Sequence, residues 1–217
     1  TGEIFVIMGL SGSGKSTLAR HLNLLVRPTS GKIFIEGHNI LDYSKKEVQQ
    51  LRRHNISMVF QRFGLLPNKN VLGNVLLGLQ AQKTNKKEAH ERALHWIDFV
   101  GLKGYEKFFP SQLSGGMQQR VGLARALATE AKILIMDEAF SALDPIIRFE
   151  MQSQLLEIQK KLRRSIIFIT HDLNEAMRIG DRIAILKDGS VVQVGTPDEI
   201  RNQPKNKFVE SFVKNIH

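Results

Sequence analysis

The stretch Gly9-Leu10-Ser11-Gly12-Ser13-Gly14-Lys15-Ser16-Thr17 constrains the fold more than any other. It fills the pattern G-x-x-x-x-G-K-[ST]. Its surroundings fit as well, with an apolar strand over residues 4–8 before it and a helix over residues 15–25 after it. Glycines in such a turn let backbone N–H groups point inward around phosphate oxygens, and the helix N-terminus adds partial positive charge. Gly9, Leu10, Ser11, Gly12, Ser13 and Gly14 would form the cradle. Lys15 would reach the β- and γ-phosphates, the Ser16 hydroxyl would bind Mg²⁺, and Thr17 would support the α-phosphate. The motif requires a strand–loop–helix unit and points to a nucleoside triphosphate. It does not choose among kinase, GTPase, ATPase and motor. The alternative is a glycine-rich turn with an exposed lysine and no ligand.

The rest of the chain alternates strand and helix. Strands are expected over residues 32–36, 56–60, 132–136 and 165–170, and an exposed charged helix over 44–53. Asp144-Pro145 opens a helix with the apolar stripe Met151, Leu155, Ile158 and Leu162. A short helix over 172–180 stops at Gly180. Asp188-Gly189 turns a hairpin between 182–187 and 190–194, and Thr196-Pro197-Asp198-Glu199 caps a last helix. Residues 64–130 differ in character, with helical spacing in Ala89, Ala93, Ile97, Val100 and again in Met117, Val121, Ala124, Ala128. That stretch reads as an inserted helical subdomain. The pattern predicts an α/β fold with a mostly parallel sheet covered on both faces and some antiparallel β elements.

A second feature, an acidic pair, ends a strand. Ile133-Leu134-Ile135-Met136 runs into Asp137-Glu138. In a parallel sheet the strand C-terminal ends face the ligand crevice, so Asp137 would hold Mg²⁺ and Glu138 would polarise an attacking water. A solvated acidic turn is the plain alternative.

Leu113-Ser114-Gly115-Gly116-Met117-Gln118-Gln119-Arg120 resembles the signature of ATP-binding cassette (ABC) ATPases. Read physically, Ser114 caps a helix whose first turn leaves glycine N–H groups bare. Gln61 resembles the family's Q-loop glutamine, Ser141-Ala142-Leu143-Asp144 its D-loop and His171 its switch histidine, all in family order over essentially the whole chain. The resemblance implies one ABC ATP-binding domain over 1–217, with the signature in the 64–130 insertion. It implies a head-to-tail dimer in which Ser114, Gly115 and Gly116, with Gln118, of one copy face ATP on the other copy. Gln61 would contact Mg²⁺, His171 the γ-phosphate, and Asp144 would join the two sites. Met117 stands where glutamine is commonest. Together with 137–145 and 175–182, the signature resembles the glycine betaine/proline importer ATPases. That implies ATP hydrolysis driving a transmembrane permease, an indirect partnership with a substrate-binding protein, and a peripheral place on the cytoplasmic membrane face. Phe63-Gly64-Leu65-Leu66-Pro67 would receive a permease helix or else pack between subdomains.

Composition sets the remaining bounds. With no cysteine, disulfide, cysteine–zinc and thiol chemistry are excluded. The net charge of +10 favours an anionic partner. It admits a nucleic-acid-acting ABC ATPase, but such proteins carry two cassettes or a coiled-coil insertion, so nucleic acid is not expected. An importer of another small solute remains an alternative, and a small-molecule kinase is disfavoured by the signature. No apolar run approaches the ~20 residues of a membrane span. The chain starts at Thr1 without methionine, so an upstream extension carrying an adenine-stacking aromatic is expected, and ATP affinity is expected to be weaker without it. Regulatory CBS domains would follow the core in many osmolyte ATPases.

Overall fold

The glycine loop does join a strand to a helix. The structure, a computed structural model, describes residues 2–61 and 64–214. In chain order it has β1 (Ile4–Gly9), α1 (Lys15–Leu22), β2 (Phe34–Ile35), β3 (His38–Asn39), α2 (Lys45–Gln50) and β4 (Ile56–Val59). Then come α3 (Val71–Ala81), α4 (Lys86–Phe99), α5 (Gly115–Ala128), β5 (Ile133–Asp137) and α6 (Pro145–Leu162). Last are β6 (Ser165–Thr170), α7 (Leu173–Ile179), β7 (Arg182–Lys187), β8 (Ser190–Gly195), α8 (Pro197–Asn202) and α9 (Lys207–Val213). The chain divides into two units, Thr1–Gln49 with Leu156–His217, and Gln50–Leu155.

In the first unit β1 pairs parallel with β6 on one side and with β7 on the other. A strand paired on both edges and covered on both faces must be apolar throughout, and Ile4, Val6, Ile7 and Met8 are all buried. β8 returns antiparallel to β7 through Asp188 and Gly189, both at positive φ, as the Asp-Gly turn requires. The Thr196–Glu199 capping box is present, with Thr196 N–H donating to Glu199 and Glu199 N–H donating to Thr196 Oγ1.

In the second unit β4 pairs parallel with β5, Ile56 opposite Ile133 through Val59 opposite Met136. α3, α4 and α5 pack on one another, with Val75, Leu79, Ala93, Ile97, Val121 and Ala124 fully buried. These helices occupy the 64–130 stretch. Parallel pairs thus predominate in a mixed α/β chain, with antiparallel elements at β2–β3 and β7–β8.

Several boundaries differ from expectation for local reasons. α1 stops at Leu22, because Asn23 accepts the Leu25 N–H and Leu24 turns to φ 55°. The 32–36 strand shortens to two residues, since Glu36 and Gly37 at positive φ turn it straight back into β3. The 44–53 helix ends at Gln50 and widens into a π-turn over Leu51–Asn55. The α6 stripe ends at Ile158, and Leu162 is exposed. Gly180 stops α7 at an extended φ of −78°; its small size matters instead, because a Cβ there would lie 2.8 Å from Val6 and from the Ala176 carbonyl. α8 is followed by α9, so it is not the last helix.

Candidate active site

In the first unit the loop between β1 and α1 is held by tight packing. A Cβ on Gly9 would run into the Leu186 carbonyl and lie 2.7 Å from Ser13 Oγ, so only glycine fits. Gly12 (φ 81°) and Gly14 (φ 94°) take left-handed conformations that turn the loop into the helix. Ser13 N–H donates to the Leu10 carbonyl, and Gly189 N–H donates to that of Ser13. Lys15 is buried, and its Nζ donates to the carbonyls of Gly9 (2.8 Å) and Leu10 (2.9 Å). The Ser13 hydroxyl is buried with no hydrogen-bond partner among the described residues. A buried ammonium folded over the loop beside a buried unsatisfied hydroxyl is the chemistry of an anion cradle. Leu10 and Ser11 on the loop and Thr17 in the first turn of α1 are exposed, and Ser16 is half-buried.

The same unit carries His171, exposed just past the end of β6. The turn that presents it is fixed on both sides. Thr170 Oγ1 donates to Glu175 Oε2 and accepts the Asp172 N–H, while Asp172 caps α7 through the Asn174 and Glu175 N–H groups.

The second unit gathers the other predicted groups. Asp137 ends β5 and is buried. Glu138 follows at φ 50°, a left-handed conformation that an acidic residue adopts only when held. Its carbonyl accepts Ser141 N–H (3.2 Å), Ser141 Oγ (2.9 Å) and Gln119 Nε2 (3.0 Å). Its half-buried carboxylate accepts a hydrogen bond from Gln61 Nε2 at 2.8 Å, so the structure brings these two predicted residues together. Beyond the turn, Asp144 Oδ1 accepts the Ile146 and Ile147 N–H groups and caps α6.

The signature begins α5. Ser114 Oγ accepts the Met117 N–H at 3.3 Å, leaving exposed Gly115 and half-buried Gly116 in the first turn. Gln118 turns its amide inward, donating to the carbonyls of Pro110 (3.0 Å) and Leu113 (3.2 Å). Further along α5, Arg125 Nη1 donates to the Gly64 carbonyl at 2.7 Å, and burial holds its guanidinium below the usual arginine value. Phe63, expected to help receive a permease helix, lies outside the described residues.

One residue with a place in this unit carries no expected role. Gln119 is 1% exposed and bonds both the Glu138 turn and the Ala142 backbone. The signal in the sequence was a glutamine on the buried face of α5, in line with Leu123 and Ala126. No group of three or more His, Asp or Glu that could hold a metal ion occurs among the described residues. Nor is any helix among them long and apolar enough to cross a membrane.

Residues 1–141 match the protein-family model described as ABC transporter. The chain is similar to the glycine betaine transport ATP-binding protein OpuAA of Bacillus subtilis, 57% identical over 99% of this chain and 51% of the relative. It is similar to the glycine betaine/carnitine transport ATP-binding protein GbuA of Listeria monocytogenes, 59% identical over 99% of this chain and 54% of the relative. To the glycine betaine/proline betaine transport system ATP-binding protein ProV of Escherichia coli it is 56% identical, over 99% and 54% respectively. The chain thus spans about half the length of these relatives. Among solved structures it is similar to the ATP-binding cassette MJ0796 in a dimeric post-hydrolysis state bound to ADP and Pi. There the TM-score is 0.85 and the identity 36%, over 90% of this chain and 86% of that one.

Proposed function

Since the chain belongs to the ABC transporter family, we propose that it hydrolyses ATP to drive a membrane importer of glycine betaine and related quaternary-amine osmolytes. The observation that carries the reading is the β1–α1 loop, with left-handed Gly12 and Gly14, buried Lys15 and the unsatisfied Ser13 hydroxyl. The solute comes from the names of relatives 56–59% identical to this chain.

Lys15 and the loop N–H groups bind the phosphates, with Thr17 beside them, and His171 contacts the γ-phosphate. Ser16 of the first unit, and Asp137 and Gln61 of the second, offer hydroxyl, carboxylate and amide oxygens, the hard donors that would suit Mg²⁺. The ion, when bound, neutralises charge on the phosphates. Glu138 takes the proton of the attacking water as general base. Water oxygen bonds to the γ-phosphorus, the bond to ADP breaks, and phosphate leaves. Gln61 holds the Glu138 carboxylate at 2.8 Å, so the residue assigned to the ion also orients the base. A second copy presents Ser114, Gly115 and Gly116 to the same nucleotide, and Asp144 lies at the junction. A transmembrane permease receives the resulting motion at the cytoplasmic membrane face, with a substrate-binding protein delivering solute to it.

The test is ATP turnover by the purified protein, followed by glycine betaine uptake in cells lacking other osmolyte importers. Phosphate release that Lys15→Ala abolishes, together with uptake that needs Glu138, is the expected result. Phosphate transfer to an acceptor other than water would overturn the reading. Uptake of a different solute would keep the activity and replace the substrate.

A further inference from the structure

Gln119 sits where the signature helix, the general-base turn and the loop before α6 meet in the second unit. Its amide nitrogen donates to the Glu138 carbonyl at 3.0 Å, and its amide oxygen accepts the Ala142 N–H at 3.0 Å. The side chain is 1% exposed, and both halves of the amide are used. Three residues earlier on the same helix, Gly116 comes close to that loop. A Cβ there would stand 3.3 Å from the Ala142 carbonyl and 3.3 Å from Leu143 Cδ2. A helical turn is stiff, so these contacts fix the Ser114–Gly116 end of α5 against the turn that carries Glu138.

The Glu138 carbonyl does not need Gln119 for its own satisfaction. Ser141 already donates to it twice, through N–H at 3.2 Å and Oγ at 2.9 Å, and a carbonyl has two lone pairs. What the third donor adds is a defined spacing between helix and turn.

We propose that Gln119 is a positioning residue for ATP hydrolysis: it makes the signature end of α5 and the Glu138 turn a single body. Seating Ser114–Gly116 on a second copy's nucleotide then sets the aim of this copy's own Glu138. The proposal rests on the hydrolytic reading above.

The experiment compares the purified full chain with Gln119→Leu and Gln119→Glu. Leucine removes both hydrogen bonds. Glutamate is nearly the same shape and keeps an acceptor for the Ala142 N–H, but its carboxylate puts an acceptor where the donor to Glu138 had been. The readouts are kcat, KM, nucleotide affinity from fluorescent-ATP titration, and Tm. For both variants kcat is expected to fall by about 10²-fold, the cost of a small misplacement, with nucleotide affinity and KM within about twofold of the parent. If Gln119→Leu does not fold, Gln119→Glu decides alone. Parent-like kcat in a folded variant overturns the proposal. So does a loss of kcat and nucleotide affinity together, since that marks a general folding role. A parent protein without ATPase activity would overturn the hydrolytic reading itself, and the proposal would fall with it.

Discussion

Glu138 is held from two sides, its backbone by Ser141 and Gln119 and its carboxylate by Gln61. Glu138→Gln leaves the backbone clamp and the side-chain shape in place and removes only the basic oxygen. ATP binding should therefore survive, while phosphate release falls by about 10²–10⁴-fold. Equilibrium titration beside a turnover assay checks both halves of that expectation. Lys15→Ala acts on binding itself, and the ATP Kd should rise about tenfold to a hundredfold, as for loss of a charged hydrogen bond. At this scale the motifs were legible because each depends on a residue type in a fixed local frame. Gly9 is glycine because Leu186 and Ser13 leave no room for a Cβ. Gln119 was not legible as functional, because its partners Glu138 and Ala142 lie 19 and 23 residues away and only the packing of α5 brings them near.

Among the elements, α5 carries most of the connections in its unit. It begins at the Ser114 cap, contacts the Glu138 turn through Gln119, and reaches Gly64 through Arg125. Ser114→Ala should cost about 1 kcal/mol of stability through the lost cap, measured by urea unfolding. Ser114→Arg should leave ATP binding to the monomer intact and prevent a second copy from closing on it. Sedimentation with and without Mg-ATP reads this directly. Strands and capped helices were legible where the signal was local, as in β6, the Asp188-Gly189 hairpin and the Thr196 capping box. They were not where packing or a single turn residue decided. Leu24 turns the chain out of α1, and Glu36 and Gly37 at positive φ cut the 32–36 strand to two residues. In the same vein, Phe168 is fully buried at the centre of β6, so Phe168→Ala should lose about 3–5 kcal/mol.

At the scale of the whole molecule, the proposed function requires that one chain supply two partial sets of ATP contacts, completed when two copies meet. On the proposed function the phosphate loop would bind nucleotide, Glu138 would act as the base, and the α5 N-terminus would serve a neighbour's nucleotide. The family was legible from the order of its motifs. The osmolyte class was legible only as a resemblance, carried by the signature with 137–145 and 175–182, and not from the chemistry of any one residue. The claim is tested most directly by the light-scattering mass of the Glu138→Gln protein, in which bound ATP should persist. A monomer is expected without nucleotide and a mass twice as large with Mg-ATP. An unchanged monomer mass at saturating Mg-ATP, with binding verified in the same sample, would contradict it.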